Sequence, residues 1–502
     1  MIEIMDTTLR DGEQTSGVSF AAHEKLSIAQ ALIDLGVNRL EIASARVSDG
    51  EFQAVKRVAA WAERMGHIQK LEVLGFGDGD VSLKWIQVAG CRVVNLLCKG
   101  SYKHVTEQLR KTPEQHFADI RSVINLATAW GIEVNVYLED WSNGIKNSPE
   151  YVFQFIDSLR DLPIKRFMLP DTLGILNPGN TYEYCKEMVT RYPDLKFDFH
   201  AHNDYDLAVA NVYSTVRAGI GGLHNTLNGL GERAGNAPLS SVLAVLKDQL
   251  GVELKLREEK INYASRLVET FSGVQIPPNK PFIGEHVFTQ CAGVHADGDS
   301  KNNLYCNDLL PERFGRVREY ALGKTSGKAN IRKNLEALGI DIDEDSMRKV
   351  TARIIELGDK KEMVTTEDLP YIISDVLHHD TKADQRIRIL NYSLSLAQGL
   401  KPVATLKIEI NGEAYQESAS GDGQYDAFVR ALRKIYTDLG RPFPMLTNYS
   451  VSIPPGGRTD AFVQTEICWN YAGVDFKTRG LDADQTEAAI KATIKMLNKI
   501  EQ

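Results

Sequence analysis

The first half of the chain alternates two kinds of apolar pattern. Short, nearly continuous apolar runs recur at IEIMD (2–6), RLEIA (39–43), LEVLGF (71–76), VVNLL (93–97), EVNVYL (133–138), RFMLP (166–170), FDFHAH (197–202) and GLHNTL (222–227). Runs of this length bounded by turn residues predict strands. Between them lie segments whose apolar residues fall on one helical face, such as AAHEKLSIAQALIDLG and TPEQHFADIRSVINLATAWG. Both end in glycine, which readily takes the left-handed conformation that closes a helix. Eight strands alternating with helices predict an α/β fold, a TIM (β/α)8 barrel. A doubly wound open sheet is the alternative, but no G-x-G-x-x-G follows the first strand.

The pattern changes twice beyond the barrel. Residues 269–385 are mostly helical in pattern, as in NIRKNLEALG and DSMRKVTARIIELG, broken by turn-rich pieces. From 386 strand-like alternation returns in RIRILNYSLSLA, VATLKIEI, NYSVSIPP and AFVQTEICWN. Two helical segments interleave with these, YDAFVRALRKIYTDLG and ADQTEAAIKATIKMLNKI. The expected organisation is a barrel over 1–268, a helical linker region over 269–385 and a C-terminal α+β domain over 386–502. There is no low-complexity segment and no short-period repeat.

Composition narrows the setting. The 502 residues are 43% hydrophobic and 25% charged, ordinary values for a soluble globular chain. A net charge of −9 without a basic tract argues against nucleic acid or an anionic membrane surface as partner. Cys91, Cys98, Cys185, Cys291, Cys306 and Cys468 are scattered, with no C-x-x-C pair. They are expected to be reduced, buried thiols rather than a disulfide frame or zinc knuckle. MIEIMDTTLR has no signal-peptide pattern, and no apolar run is long enough to span a bilayer. A cytoplasmic protein is expected.

Chemistry is expected where the barrel strands end. The stretch FDFHAHNDYDL (197–207) places His200 and His202 at i and i+2 on a strand, so both side chains share one face. Two imidazoles so placed are candidate ligands for one metal ion. Other strands run into DTTLRDGEQ, ASARVS, EDWSNG, DTLG and NGLGERAGN. So many polar residues at one rim strengthen the metal reading. Asp11, in the first loop, is the natural third ligand, unless it caps the next helix. Two neutral imidazoles and a carboxylate leave positions open for a substrate. Asn236 is either a further ligand or a turn residue. Arg10 suits a developing oxyanion, or forms a salt bridge to Glu13, Glu41 or Glu139. Glu139 is a candidate general base or Arg10 partner. Thr172 offers a hydroxyl to a bound carboxylate. The donor set accepts Zn²⁺, Mn²⁺ or Co²⁺, and Mg²⁺ less readily.

DTTLRDGEQ, HAHND and NGLGERAGN together resemble the metal-dependent acyl-transfer barrels that include isopropylmalate, homocitrate and citramalate synthases. The resemblance runs over essentially the whole chain, its C-terminal domain being similar to an amino-acid-sensing domain. It implies a Claisen condensation of acetyl-CoA with a 2-oxo acid, followed by hydrolysis that frees CoA. It implies Asp11, His200 and His202 as metal ligands with Asn236 close by, Arg10 at the oxyanion and Glu139 as base. His295, in AGVHADG, matches a histidine that reaches the site from the accessory region; Tyr305 is a weaker candidate, and both have helix packing as the alternative.

The oxo acid is read from the strands that should line its pocket. Leu74, Leu97 and Tyr137 are large and largely apolar, which disfavours a substrate with a carboxylate arm, since an unpaired buried charge is costly. Their bulk favours the methyl of pyruvate over an isopropyl group. Alternatively, all three simply fill the barrel. EIASARVSDGE and VYLEDWSNG resemble the citramalate synthase versions of these loops. Isopropylmalate synthases typically carry Gly-Phe-Pro where this chain has Ala43–Ala45. The citramalate branch is therefore expected, serving isoleucine biosynthesis, with the isopropylmalate branch as alternative. SGDGQYDAF (420–428) lacks the Lys-Ser/Thr of a phosphate loop and predicts a turn into a helix, with Asp426 in its first turn. By resemblance Tyr425, Asp426, Leu446, Tyr449, Ile453, Val463 and Gln485 match effector-pocket positions, implying isoleucine feedback through a homodimer. Ala483 stands where the family pattern has proline.

Overall fold

The computed structural model describes residues 2–299, 301–359, 364–377, 387–452 and 463–501. Eight strands close into a parallel barrel in sequence order: β1 (Glu3–Asp6), β2 (Arg39–Ser44), β3 (Leu71–Phe76), β4 (Val93–Lys99), β5 (Glu133–Glu139), β6 (Ile164–Asp171), β7 (Phe197–Ala201) and β8 (Gly222–Asn225). β8 returns to pair with β1, Glu3 opposite Gly222 through Asp6 opposite Asn225. Each apolar run in the sequence became one strand. Buried on both faces, they form the near-continuous apolar strands that a helix-wrapped parallel sheet requires.

The helices follow their sequence signals. Ala22–Leu35 ends at Gly36 with φ 104, a conformation in which any Cβ is disfavoured. Pro113–Ala129 begins on a capping box in which Thr112 and Gln115 satisfy each other's backbone N–H. The apolar core runs continuously from strands such as Val73 and Leu138 to helix residues such as Ile28, Val58 and Phe155.

The chain divides into two compact units, Met1–Phe288 with Cys306–Arg318 and Thr289–Tyr305 with Glu319–Gln502. In the second, helices Lys328–Leu338, Glu344–Asp359 and Leu369–Leu377 share a small core of Ile331, Leu335, Val350 and Ile354. The C-terminal part repeats one plan twice: an antiparallel three-stranded meander followed by a helix. The first has strands Ile387–Ser395, Val403–Ile410 and Glu413–Ser420 with helix Gln424–Asp438. The second has Met445–Ser452, Val463–Tyr471 and Val474–Asp482 with helix Gln485–Ile500. The expectation about cysteines needs correction: Cys91, Cys98 and Cys185 are buried, but Cys291 is exposed and Cys306 and Cys468 are half-buried. The three buried thiols lie in the barrel; the others lie outside its core. No described helix is long and apolar enough to cross a membrane.

Candidate functional site

The loop after β1 is wound tightly. The backbone N–H groups of Arg10, Asp11 and Gly12 all donate to the Thr7 carbonyl, at 3.1, 2.8 and 3.1 Å. Asp11 makes no side-chain cap on the short helix that follows, so the capping alternative falls. Its carboxylate instead meets the histidine pair. Asp11 Oδ2 lies 3.0 Å from His200 Nε2 and 3.7 Å from His202 Nε2, and the two Nε2 atoms are 3.4 Å apart. Donors around one ion at about 2.1 Å are about 3.0 Å apart at a right angle and about 4.2 Å apart when opposite, so these separations fit a single divalent cation. All three residues are buried.

Unpaired atoms point the same way. Asp11 Oδ1 and Asn236 Oδ1 are buried with no hydrogen-bond partner. Two orphaned oxygens beside the same imidazoles would be costly without a ligand. Asn236 bridges His202 across the backbone, and its Nδ2 donates to the Leu230 carbonyl at 3.0 Å, which leaves Oδ1 open. Gly231 makes room for that amide: with φ 152, any Cβ there would sit 2.2 Å from Asn236 Nδ2. Burial alone would raise the Asp11 pKa, but the Arg10 charge and the His200 hydrogen bond overcome it and hold the carboxyl well below its usual range. Burial, reinforced by His200, pushes His202 down to about 4. A carboxylate beside a neutral imidazole is ready to bind a metal.

Arg10 is clamped at three corners. Nε donates to Glu41 at 2.6 Å, Nη1 lies 3.4 Å from Asp11, and Nη2 is 3.5 Å from the Tyr137 hydroxyl. Of the three acids weighed from sequence, Glu41 is the partner; Glu13 pairs with the buried Lys25 at 2.6 Å, and Glu139 pairs closely with Lys99. Glu41 is itself anchored through Asn95 and then Asn135, each link 2.8 Å.

Leu74 and Tyr137 pack with Met5 and Met168 in a buried cluster inside the barrel, with Leu97 against it. The Tyr137 ring stands edge-on to His200, centroids 6.2 Å apart, so this apolar group lies directly beside the donor cluster. The Thr172 hydroxyl accepts from the Asp140 N–H at 2.9 Å and keeps its proton to donate. Arg233 ties three rim loops: it holds Asp204 in a bidentate pair at 2.8 and 2.9 Å and donates to the Thr172 carbonyl at 2.8 Å.

His295 and Tyr305 belong to the second unit, where their rings pack 4.3 Å apart. In the C-terminal domain Tyr425, Asp426, Leu446, Tyr449 and Gln485 line one cavity of about 730 Å³. Val463 starts a strand opposite Asp482 and is not among the lining residues. Ile453 lies outside the described residues.

The sequence reading missed Met5, Met168, Lys99, Lys25, His224 and Asp198 as site or support residues. For Asp198 a signal existed: in FDFHAH it precedes His200 by two, so alternation puts both on the inward face.

A family profile described as HMGL-like matches residues 1–268. One described as homocitrate synthase post-HMGL domain-like matches 282–362, and one described as LeuA allosteric (dimerisation) domain matches 363–501. A putative (R)-citramalate synthase of Methanopyrus kandleri is 34% identical over 93% of this chain and 89% of its own. A probable 2-isopropylmalate synthase of the same organism is 32% identical over 99% and 98%. An (R)-citramalate synthase of Methanocaldococcus jannaschii is 32% identical over 100% and 99%.

Proposed function

The chain belongs to the HMGL-like family of acyl-transferring enzymes, and from that premise we propose that it is an (R)-citramalate synthase. The observation that carries the proposal is the apolar wall of Leu74, Tyr137, Met5 and Met168 beside the Asp11–His200–His202 cluster. A wall of this kind accepts the methyl of pyruvate and offers no cation to a second carboxylate. Similarity alone supports citramalate and isopropylmalate synthases about equally, at 34% and 32% identity.

The three donors would hold Zn²⁺, Mn²⁺, Co²⁺ or Mg²⁺, with Asn236 beside them. Such an ion supplies a Lewis acid for the oxo acid's carbonyl. Thr172 donates its free hydroxyl proton to the oxo acid's carboxylate. Arg10, held by Glu41, Asp11 and Tyr137, presents a fixed guanidinium to the oxygen on which charge develops. Glu139 or His295 takes a proton from the methyl of acetyl-CoA. That carbon attacks the keto carbon, and water then cleaves the thioester to give citramalate and free CoA.

The division at 268/269 and 385/386 belongs to the same proposal, as do a homodimer, a cytoplasmic setting and feedback by isoleucine. The C-terminal cavity supports an amino-acid effector by its chemistry. Asp426 and Arg430 pair at 2.9 Å and Asp484 caps the helix Gln485–Ile500, so Arg433 is left to suit a carboxylate, and Leu446, Tyr425 and Tyr449 an aliphatic side chain.

The test is CoA release from acetyl-CoA with pyruvate, 2-oxobutyrate, 2-oxoisovalerate or 2-oxoglutarate, with Mn²⁺ and after chelation. Preference for pyruvate, abolished by chelation and restored by Mn²⁺, is expected. Preference for 2-oxoisovalerate would make the chain an isopropylmalate synthase and overturn the pocket assignment.

A further inference from the structure

Beneath the candidate site a second line of buried polar groups reaches Arg10. Asp198 Oδ2 lies 3.1 Å from His224 Nε2, and His224 Nδ1 lies 3.0 Å from the Tyr137 hydroxyl. The Tyr137 hydroxyl is in turn 3.5 Å from Arg10 Nη2. Asp198, His224 and Tyr137 are at most 2% exposed, so no water competes for these bonds.

With a neutral His224 the bonds run in only one direction. Asp198 is gripped by Arg39 and, at 3.1 Å, by Arg166, so it is a carboxylate and only accepts. His224 Nε2 must therefore carry the proton. In the neutral ring so oriented, Nδ1 is left as an acceptor, 3.0 Å from the Tyr137 hydroxyl. Tyr137 then donates its only proton to Nδ1, away from Arg10. What it turns toward Arg10 is a lone pair. The neighbouring strand is shaped for this arrangement: a Cβ at Gly222 would sit 1.8 Å from Asp198 Oδ1.

We propose that His224 and Asp198 are positioning residues for oxo-acid selectivity, acting through Tyr137. The chain locks the Tyr137 ring against Leu74 and Met168, so the pocket wall cannot swing aside for a longer substituent. It also fixes the hydroxyl as an acceptor for Arg10. A tyrosine without this anchor would keep its volume but lose its single orientation, and the pocket would admit larger oxo acids. The inference rests on the pyruvate reading for the sign of the preference, and on the geometry alone for the coupling.

The experiment compares the full-length protein with Tyr137→Phe, His224→Gln and the double variant. The readouts are kcat/KM for pyruvate and 2-oxobutyrate, KM for acetyl-CoA, and Tm. Each single variant is expected to lower the pyruvate to 2-oxobutyrate ratio by about tenfold, the scale on which a methylene-sized space discriminates. The KM for acetyl-CoA should change less than about twofold. The double variant should be no worse than either single, because both cut the same chain. The inference is overturned if the ratio in Tyr137→Phe stays within about twofold of the parent, or if the two changes multiply. Tyr137→Phe removes one oxygen and keeps the ring, so it decides the matter even if His224→Gln does not fold. A parent enzyme preferring 2-oxoisovalerate would defeat the proposed function, yet the cycle would still report whether the chain controls selectivity.

Discussion

Asp6 ends β1 with a carboxyl that is fully buried. Its Oδ1 accepts from the Thr8 N–H at 2.8 Å, while Oδ2 has no partner. Burial outweighs these bonds and pushes the pKa from 3.8 up to about 7. Between those values the folded chain holds a proton that the unfolded chain has lost. Stability therefore falls as pH rises through this window, by up to about 1.4 kcal/mol per pH unit. Asp6→Asn cannot ionise and should gain on the parent between pH 5 and pH 7.5. Urea midpoints of the barrel's transition at both pH values check this; an equal difference at both would place the Asp6 pKa near its ordinary value. At this scale the legible residues were those whose partners are local. His200 and His202 announced themselves by an i, i+2 spacing, and Arg10 and Asp11 by adjacency in one loop. Lys99 with Glu139 and Tyr137 with His224 are separated by 40 and 87 positions. Nothing in the local pattern links such pairs; the pairing of β4 with β5 joins the first, and barrel closure the second.

The rim loops act as elements rather than as single residues. Arg233 joins the loops after β6, β7 and β8 through Thr172 and Asp204, yet its side chain is 34% exposed. A pair so exposed contributes only about 0–1 kcal/mol to stability. Its geometric role is larger, because the loops it joins carry Thr172, His202 and Asn236. Arg233→Lys keeps the charge but cannot span three acceptors. The expected outcome is a tenfold or greater loss in kcat/KM for the oxo acid, with Tm lowered by no more than about 2 °C, since small misplacements of binding groups are costly in rate. A loss of Tm without a change in kcat/KM would make the clamp structural only. The strands themselves were easy to read where both faces are buried. Two strands of the C-terminal domain, Glu413–Ser420 and Val474–Asp482, were not found. Each lies at the edge of a three-stranded sheet. EAYQESAS is exposed at most positions, so its apolar alternation nearly vanishes.

At the scale of the whole molecule, the Asp11–His200–His202 cluster and the C-terminal cavity lie in separate compact units, so regulation through that cavity would be carried by the effector's own binding energy. The cavity in the C-terminal domain sits where helices Gln424–Asp438 and Gln485–Ile500 both begin. Asp484 caps the second of these helices, while the first starts at Gly423 without a side-chain cap; that N-terminus favours an effector's carboxylate, and Arg433 adds to it. Side-chain selectivity falls to the aromatic pair Tyr425 and Tyr449, whose rings lie 5.4 Å apart. The Tyr425 hydroxyl is fixed by Thr493 at 2.8 Å, so Tyr425 is the rigid wall and Tyr449 the replaceable one. Tyr449→Ala should therefore weaken inhibition by isoleucine at least tenfold, while narrowing the gap between isoleucine and leucine, because the enlarged wall no longer distinguishes where the chain branches. Inhibition curves for both amino acids, run at fixed pyruvate, read this out. If Tyr449→Ala left the isoleucine curve where it was, the effector would bind elsewhere than this cavity, and Tyr425, Asp426, Leu446 and Gln485 would lose their assignment with it.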